Sequence, residues 1–282
     1  MIIKSFDGTK ISYKLKKKSN LFLVFIHGWV NDWTTWKKEI EFFQRKGYST
    51  LTLDLRGHGQ SDKPEGKNKY RLEYFARDIQ VIIKKEEIKY FILVGHSMGG
   101  IISLMYYKMF NKHEEIKGLI LCDTTYRNIL VHRTIKHILP FVRYILDFII
   151  SHETINKKYF SHLKDIDLNK YNNCSDYFVF YRGLYNAPLK SVFACLEAML
   201  NFNLKNVLPT IKVPVLIIEG AQDKLLPKID SLELYEEIKD AEIDFVPKGK
   251  HFVNIQNPKL VSKYIFNFLS KHGLTPRIKI IK

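Results

Sequence analysis

Three well-separated residues of this sequence could together turn an ordinary hydroxyl into a nucleophile. Ser97 sits in Val94-Gly95-His96-Ser97-Met98-Gly99-Gly100, a G-x-S-x-G pattern. A serine hydroxyl reacts poorly unless a base takes its proton, and the base needs a carboxylate to orient it. Asp223, in Gly220-Ala221-Gln222-Asp223, and His251, in Gly249-Lys250-His251-Phe252, supply those types further along the chain. Their order (Ser, Asp, His) is the one expected where the serine stands on a strand-to-helix elbow. Asp123 competes with Asp223 for the acid role, and Glu219 is a weaker competitor. Among ten histidines, His96 adjoins the serine, His27 and His58 precede it, and His113 lies in a polar stretch. His132, His137, His152 and His162 fall in a differently patterned segment. Two backbone N–H donors would have to stabilise the oxyanion. Met98, which follows the serine, is one candidate, and Trp29 of His27-Gly28-Trp29-Val30 is the other.

These residues need a scaffold that brings them to one place. A bare G-x-S-x-G arises by chance in roughly one chain in ten of this length, so its setting decides its meaning. Phe91 to Val94 reads as a short apolar strand and Met98 to Phe110 as a helix, which is the setting the elbow requires. Upstream, Ile11 to Leu15 and the fully apolar Leu21 to Ile26 read as strands. A helical stretch from Trp33 to Lys46 follows and is ended by Gly47, and Ser49 to Asp54 is the next strand. Tyr70 to Lys85 carries Leu72, Phe75, Ile79 and Ile82 or Ile83 at helical spacing. Leu119 to Cys122 is another strand, then strand signals vanish from about Thr124 to Pro209. Alternation resumes with Val213 to Ile218, a helix near Ser231 to Lys239, Glu242 to Val246, and a closing helix from Pro258 to Ser270. Such alternation implies a parallel sheet covered on both faces. Asp223 and His251 would then lie on loops beyond the C-terminal ends of strands, where open α/β sheets place their sites.

With these pieces in order, the sequence resembles serine hydrolases of the α/β-hydrolase superfamily. The resemblance rests on His27-Gly28-Trp29, on Asp54-Leu55-Arg56-Gly57-His58-Gly59-Gln60-Ser61-Asp62, on Gly95 to Gly100, on Gly220 to Asp223 and on His251, over residues 1 to 271. It implies an eight-stranded, mostly parallel sheet with helices on both faces, built from residues 1–123 and 210–282. Residues 124–209 would form a helical cap over the site. The same resemblance assigns Asp54 to Asp62 to a structural loop, which keeps Arg56 and His58 out of the reacting set. Members similar to epoxide hydrolases and haloalkane dehalogenases carry an aspartate where Ser97 stands, which disfavours those activities. The elbow is similar to that of carboxylesterases, monoacylglycerol lipases and lysophospholipase-like enzymes. The resemblance also implies chemistry without metal or organic cofactor. Expected is hydrolysis of esters with a hydrophobic acyl or aryl group. Acyl transfer, lyase chemistry or C–C bond hydrolysis by the same residues are the alternatives, and a non-enzymatic ligand receptor is a more remote one.

Composition bounds the rest. With 46% hydrophobic residues over 282 positions the chain can build a large core, which excludes a disordered or collagen-like polymer. Cys122, Cys174 and Cys195 are odd in number and far apart, so neither a metal knuckle nor a disulfide framework is expected. The net charge of +16 comes from lysines spread along the whole chain, Lys16-Lys17-Lys18 being the densest run. It would suit an anionic partner, but no motif marks nucleic-acid binding. No stretch of signal-peptide or membrane-spanning pattern stands out, so the expectation is a cytoplasmic protein with a small-molecule substrate, able at most to touch a membrane peripherally. Ile138 to Ile150 is apolar but carries Arg143 and Asp147, as a cap helix would. The segment from Lys271 onward has basic residues and no acid.

Overall fold

The computed structural model describes residues 1–111, 115–128, 167–170 and 175–276. The expected helix at Ile138–Ile150, His113, the four insertion histidines, Cys174 and the last basic residues lie outside the described residues.

Period-2 burial of one strand sets up the layers. All six residues of β3 (Leu21–Ile26) are buried, so both faces of the strand must be covered. Leu21, Leu23 and Phe25 face Trp36, Ile40 and Phe43 together with Val261, Ile265 and Phe268. Phe22, Val24 and Ile26 face the opposite way, into a cluster with Phe75, Ile79, Ile82, Ile101 and Ile102. The first group belongs to the turn ending at Trp36, to α1 (Lys37–Arg45) and to a C-terminal helix, Pro258–Lys271; the second belongs to α2 (Leu72–Lys85) and α3 (Met98–Phe110).

Eight strands form one sheet: β1 (Ile2–Lys4), β2 (Lys10–Lys16), β3, β4 (Ser49–Leu53), β5 (Tyr90–His96), β6 (Ile116–Cys122), β7 (Val215–Gly220) and β8 (Ala241–Val246). Their order is β1-β2-β4-β3-β5-β6-β7-β8. The pairs β1/β2 and β2/β4 are antiparallel, and every pair from β4 through β8 is parallel. The parallel strands all point one way, so the loops after β3, β5, β6, β7 and β8 gather at one edge of the sheet. This is the α/β-hydrolase fold.

Between β6 and β7 the described residues contain α4 (Asp176–Asn186), α5 (Leu189–Leu200) and two short 3₁₀ turns, Leu168–Lys170 and Lys205–Thr210. The Ser175 side chain caps α4 by accepting the Phe178 N–H. Beyond β7 come α6 (Lys228–Glu237), then β8, a four-residue α7 (Val253–Gln256) and α8 (Pro258–Lys271).

Three local differences from the sequence reading have simple causes. β1 has only three residues, none buried, and offers no apolar run to read. The helix expected from Trp33 divides instead into a 3₁₀ turn, Trp33–Trp36, and α1, because the Asp32 carboxylate accepts Thr34 N–H and tightens the first turn. Tyr70 belongs to a separate 3₁₀ turn (Lys67–Tyr70) that precedes α2. Among the described residues no helix is long and apolar enough to cross a membrane.

Candidate active site

β5 runs out at His96 and α3 begins at Met98, which leaves Ser97 as the single hinge residue, at φ 51° and ψ −119°. A non-glycine residue in this region is strained and persists only where its neighbours dictate it. Two glycines make the turn sterically feasible. A Cβ on Gly95 would sit 2.4 Å from the Gly99 carbonyl oxygen, and one on Gly99 would sit 2.3 Å from that of Ile26. The turn is held from the sheet by Ser97 N–H donating to Cys122 O at 2.9 Å, and Thr124 Oγ1 donates to Ser97 O at 2.7 Å.

The loops after β7 and β8 bring the other two side chains to this serine. His251 Nε2 lies 3.0 Å from Ser97 Oγ, and His251 Nδ1 lies 2.8 Å from Asp223 Oδ2. With Nδ1–H donating to the carboxylate, Nε2 is left to accept the serine proton. Both side chains are nearly closed off from solvent. Burial alone would raise the Asp223 pKa, but the His251 hydrogen bond and charge, with N–H bonds from Leu225 and Leu226, hold it below the usual range. The carboxylate is therefore ionised when it faces the imidazole.

Asp123, the competitor for the acid role, points elsewhere. It sits beyond β6, fully buried at φ 41°, and accepts N–H bonds from Gly220 at 2.7 Å and Val253 at 3.4 Å. It thus ties the roots of the Asp223 and His251 loops together rather than meeting the imidazole. Glu219 accepts from Ser231 Oγ at 2.6 Å, while its other oxygen is buried without a partner. Oxygens of Asp123, Glu219 and Asp223 lie within 4.8 Å of one another. Burial and the two neighbouring carboxylates push Asp123 well up, and burial foremost pushes Glu219 to about 7.

His96 also has a positioning role that its place next to the serine did not reveal. Its Nε2–H donates to the His251 carbonyl at 2.7 Å, fixing the backbone of that loop. Burial, then the nearby His251 charge, lowers the His96 pKa to about 3, so it stays neutral. Gly28 leaves room for this ring, since a Cβ there would meet His96 Nδ1 at 2.8 Å.

The second N–H donor candidate lies in the loop after β3. His27 donates from Nδ1 to Gly28 O at 2.8 Å and accepts Leu55 N–H at Nε2, 3.0 Å away. Val30 N–H donates to His58 Nε2 at 3.2 Å, and the Trp29 indole N–H donates to Val192 O at 2.9 Å. The main-chain N–H groups of Trp29 and Met98 have no protein acceptor among the described residues. The Asp54–Asp62 segment serves as a brace for this loop. Arg56, fully buried, pairs with Asp78 at 2.6 Å and with Asp7 at 3.1 Å, and Asp54 accepts the N–H groups of Trp33 and Gln60.

Comparison with known proteins agrees with this architecture. A family model described as alpha/beta hydrolase fold matches residues 22–156. "Epoxide hydrolase 3" of Xenopus tropicalis is 23% identical over 280 residues, covering 92% of this chain and 74% of that protein. A "Putative non-heme chloroperoxidase" of Synechocystis is likewise 23% identical, covering 88% of this chain and 90% of its own. Among solved structures, a thermophilic esterase from Thermogutta terrifontis superposes with a TM-score of 0.77 at 21% identity, over 96% of this chain and 98% of the other. A family match running from β3 through the elbow, together with relatives and folds aligned over nearly the whole length, supports membership of the α/β-hydrolase superfamily and agrees with the fold described above.

Proposed function

We propose that the protein is a serine hydrolase acting on carboxylic esters with a hydrophobic acyl or aryl group. The observation that carries this reading is the unbroken chain from Ser97 Oγ through the His251 imidazole to Asp223 Oδ2, at 3.0 and 2.8 Å. Among the described residues, nothing else places a base on a hydroxyl that is itself lifted above the sheet edge. The strained elbow presents Ser97 at the first turn of α3, whose free N–H groups and dipole favour the negative charge formed on attack.

The steps follow from the geometry. Ser97 Oγ attacks the ester carbonyl while His251 Nε2 takes its proton. Asp223 holds the imidazole in the right tautomer and stabilises the imidazolium. The Trp29 and Met98 N–H groups hold the oxyanion, and His251 returns the proton to the leaving alcohol. Water, deprotonated by the same imidazole, then releases the acid. Each step uses only side chains and backbone already in place. The serine nucleophile argues against the epoxide chemistry named for one relative, because the implied nucleophile there is a carboxylate. We read residues 124–209 as the cap over this site. Phe180 and Trp29, with ring centroids 5.6 Å apart, supply an apolar wall beside the oxyanion loop.

A panel of p-nitrophenyl esters of increasing acyl length tests the reading. Wild type is expected to turn them over, and Ser97→Ala to lose roughly 10⁶-fold in kcat, as for loss of a triad nucleophile. Equal rates in the two proteins would end it. A wild type inert to every ester but covalently labelled at Ser97 by a fluorophosphonate would move the reaction to acyl transfer or C–C bond cleavage.

A further inference from the structure

Val30 is the odd residue of the oxyanion loop. It is β-branched yet stands at φ 57°, in the left-handed region that such side chains avoid. A conformation of this kind survives only where the surroundings over-determine it, and it is a pointer to function rather than a consequence of one. From the sheet side the loop is held by His58, which accepts the Val30 N–H, and by Asn31, whose N–H returns to Gly28 O at 3.3 Å and whose Nδ2 donates to Trp29 O at 3.0 Å. Those bonds leave the Val30 carbonyl unaccounted for.

It is met from the opposite side by α4. Gly183 lies so close to it that a Cβ at position 183 would stand 2.1 Å from the Val30 oxygen. Glycine inside a helix costs stability relative to alanine, and Gly183, within Asp176–Asn186, does not carry a positive φ. The close approach is the physical reason for a glycine there. One residue earlier, the buried Arg182 reaches from α4 into the loop. Its Nη1 lies 2.8 Å from Asp32 Oδ2, and its Nη2 donates to Thr34 Oγ1 at 3.2 Å. At the other end of α4, Gln256 Nε2 donates to Asp176 Oδ1 at 2.8 Å, and Val179 packs on Phe252, the neighbour of His251. One helix therefore bridges the His251 loop and the oxyanion loop.

We propose that α4 is a positioning element for the oxyanion hole: Gly183 and Arg182 clamp Val30 in its left-handed conformation and so hold the Trp29 N–H toward the carbonyl oxygen of a substrate bound at Ser97. The consequence for turnover rests on the esterase reading above; the clamp itself does not. Gly183 and Arg182 touch no reacting atom and act through the loop. Removing the clamp withdraws a donor that matters mainly in the transition state, so the effect belongs in kcat rather than KM.

Gly183→Ala and Arg182→Lys test this by two independent readouts on the full-length protein. The first is amide hydrogen exchange of the segment 28–36, followed by mass spectrometry. The second is kcat and KM on the best p-nitrophenyl ester. Gly183→Ala is expected to speed exchange in that segment while leaving β5 and β6 protected. It should also lower kcat about 10²-fold with KM within about twofold, the size of losing one oxyanion donor. Arg182→Lys, which keeps a cation near Asp32 but loses the fork to Thr34, should fall between Gly183→Ala and wild type in both readouts. It also carries the test if the alanine variant does not fold. Unchanged exchange in a folded variant would overturn the clamp, and faster exchange with unchanged kcat would overturn its role in the reaction. Faster exchange alongside a wild type without esterase activity would leave the clamp standing and reject the esterase reading instead.

Discussion

Glu219 shows what burial does to a single carboxyl beside the proposed triad. In an unfolded chain it ionises near 4.5; in the fold, burial foremost and then the Asp223 charge raise this to about 7. Below the lower value both states hold the proton, and Glu219 does not make stability depend on pH. As pH rises from 4.5 through about 7, the unfolded chain gives up its proton first, so folding loses stability across that window. Glu219→Gln removes the ionisation. Thermal melts should therefore show the variant above wild type once the pH exceeds about 7, with the two converging below 4.5. A wild-type advantage at high pH would contradict the assignment. That Ser97, Asp223 and His251 could meet was legible in the sequence, because their motifs follow strands in a fixed order, and the fold brings the three side chains within hydrogen-bond reach. The parts played by Asp123 and Glu219 were not, since a carboxyl that braces two loops differs from one that meets an imidazole only in what faces it. Asp123 meets the Gly220 and Val253 N–H groups, whereas Asp223 meets the imidazole.

At the scale of elements, the elbow is the most demanding junction. Its glycines are dictated by backbone contacts, so relief by a shifting side chain is unavailable at Gly99, where the obstruction is Ile26 O at 2.3 Å. Gly99→Ala should destabilise the protein by about 1–3 kcal/mol, the range for overpacked sites, lowering Tm by roughly 2–10 °C. The check is a thermal melt against Gly118→Ala, where the nearest atom, Pro214 O, is 3.2 Å away and a smaller loss is expected. Equal melting of the two variants would show that the elbow tolerates a methyl group. The strands that carry the site were legible because burial on both faces demands unbroken apolar runs, as in Leu21–Ile26. The clamp on Val30 was not legible, because Arg182 and Asp32 are brought together only when α4 crosses the loop after β3. No local pattern marks Gly183 as a contact rather than an ordinary helix interruption.

For the whole molecule, the strand order gathers the loops after β3, β5, β7 and β8 at one sheet edge, so residues far apart in the chain meet in one cleft. The charge of +16 has no comparable organisation in the sequence, and several cations are already paired, among them Arg56, Arg127 and Arg182. Its reach is a long-range field that salt removes. The screening length falls from about 30 Å to 3 Å between roughly 0.01 and 1 M salt. Turnover of a neutral ester should change less than about twofold over that range, whereas kcat/KM for an anionic ester should fall. A strong salt dependence for the neutral ester would mean that charge acts within the site itself. Activation of Ser97 as a nucleophile by His251 and Asp223 can be read out by intact-protein and peptide mass spectrometry after treatment with a fluorophosphonate. A single phosphonyl adduct is expected on the peptide containing Ser97, absent from Ser97→Ala and much slower to form in His251→Ala. An unmodified Ser97 in folded wild type, or labelling that persists in Ser97→Ala, would contradict it.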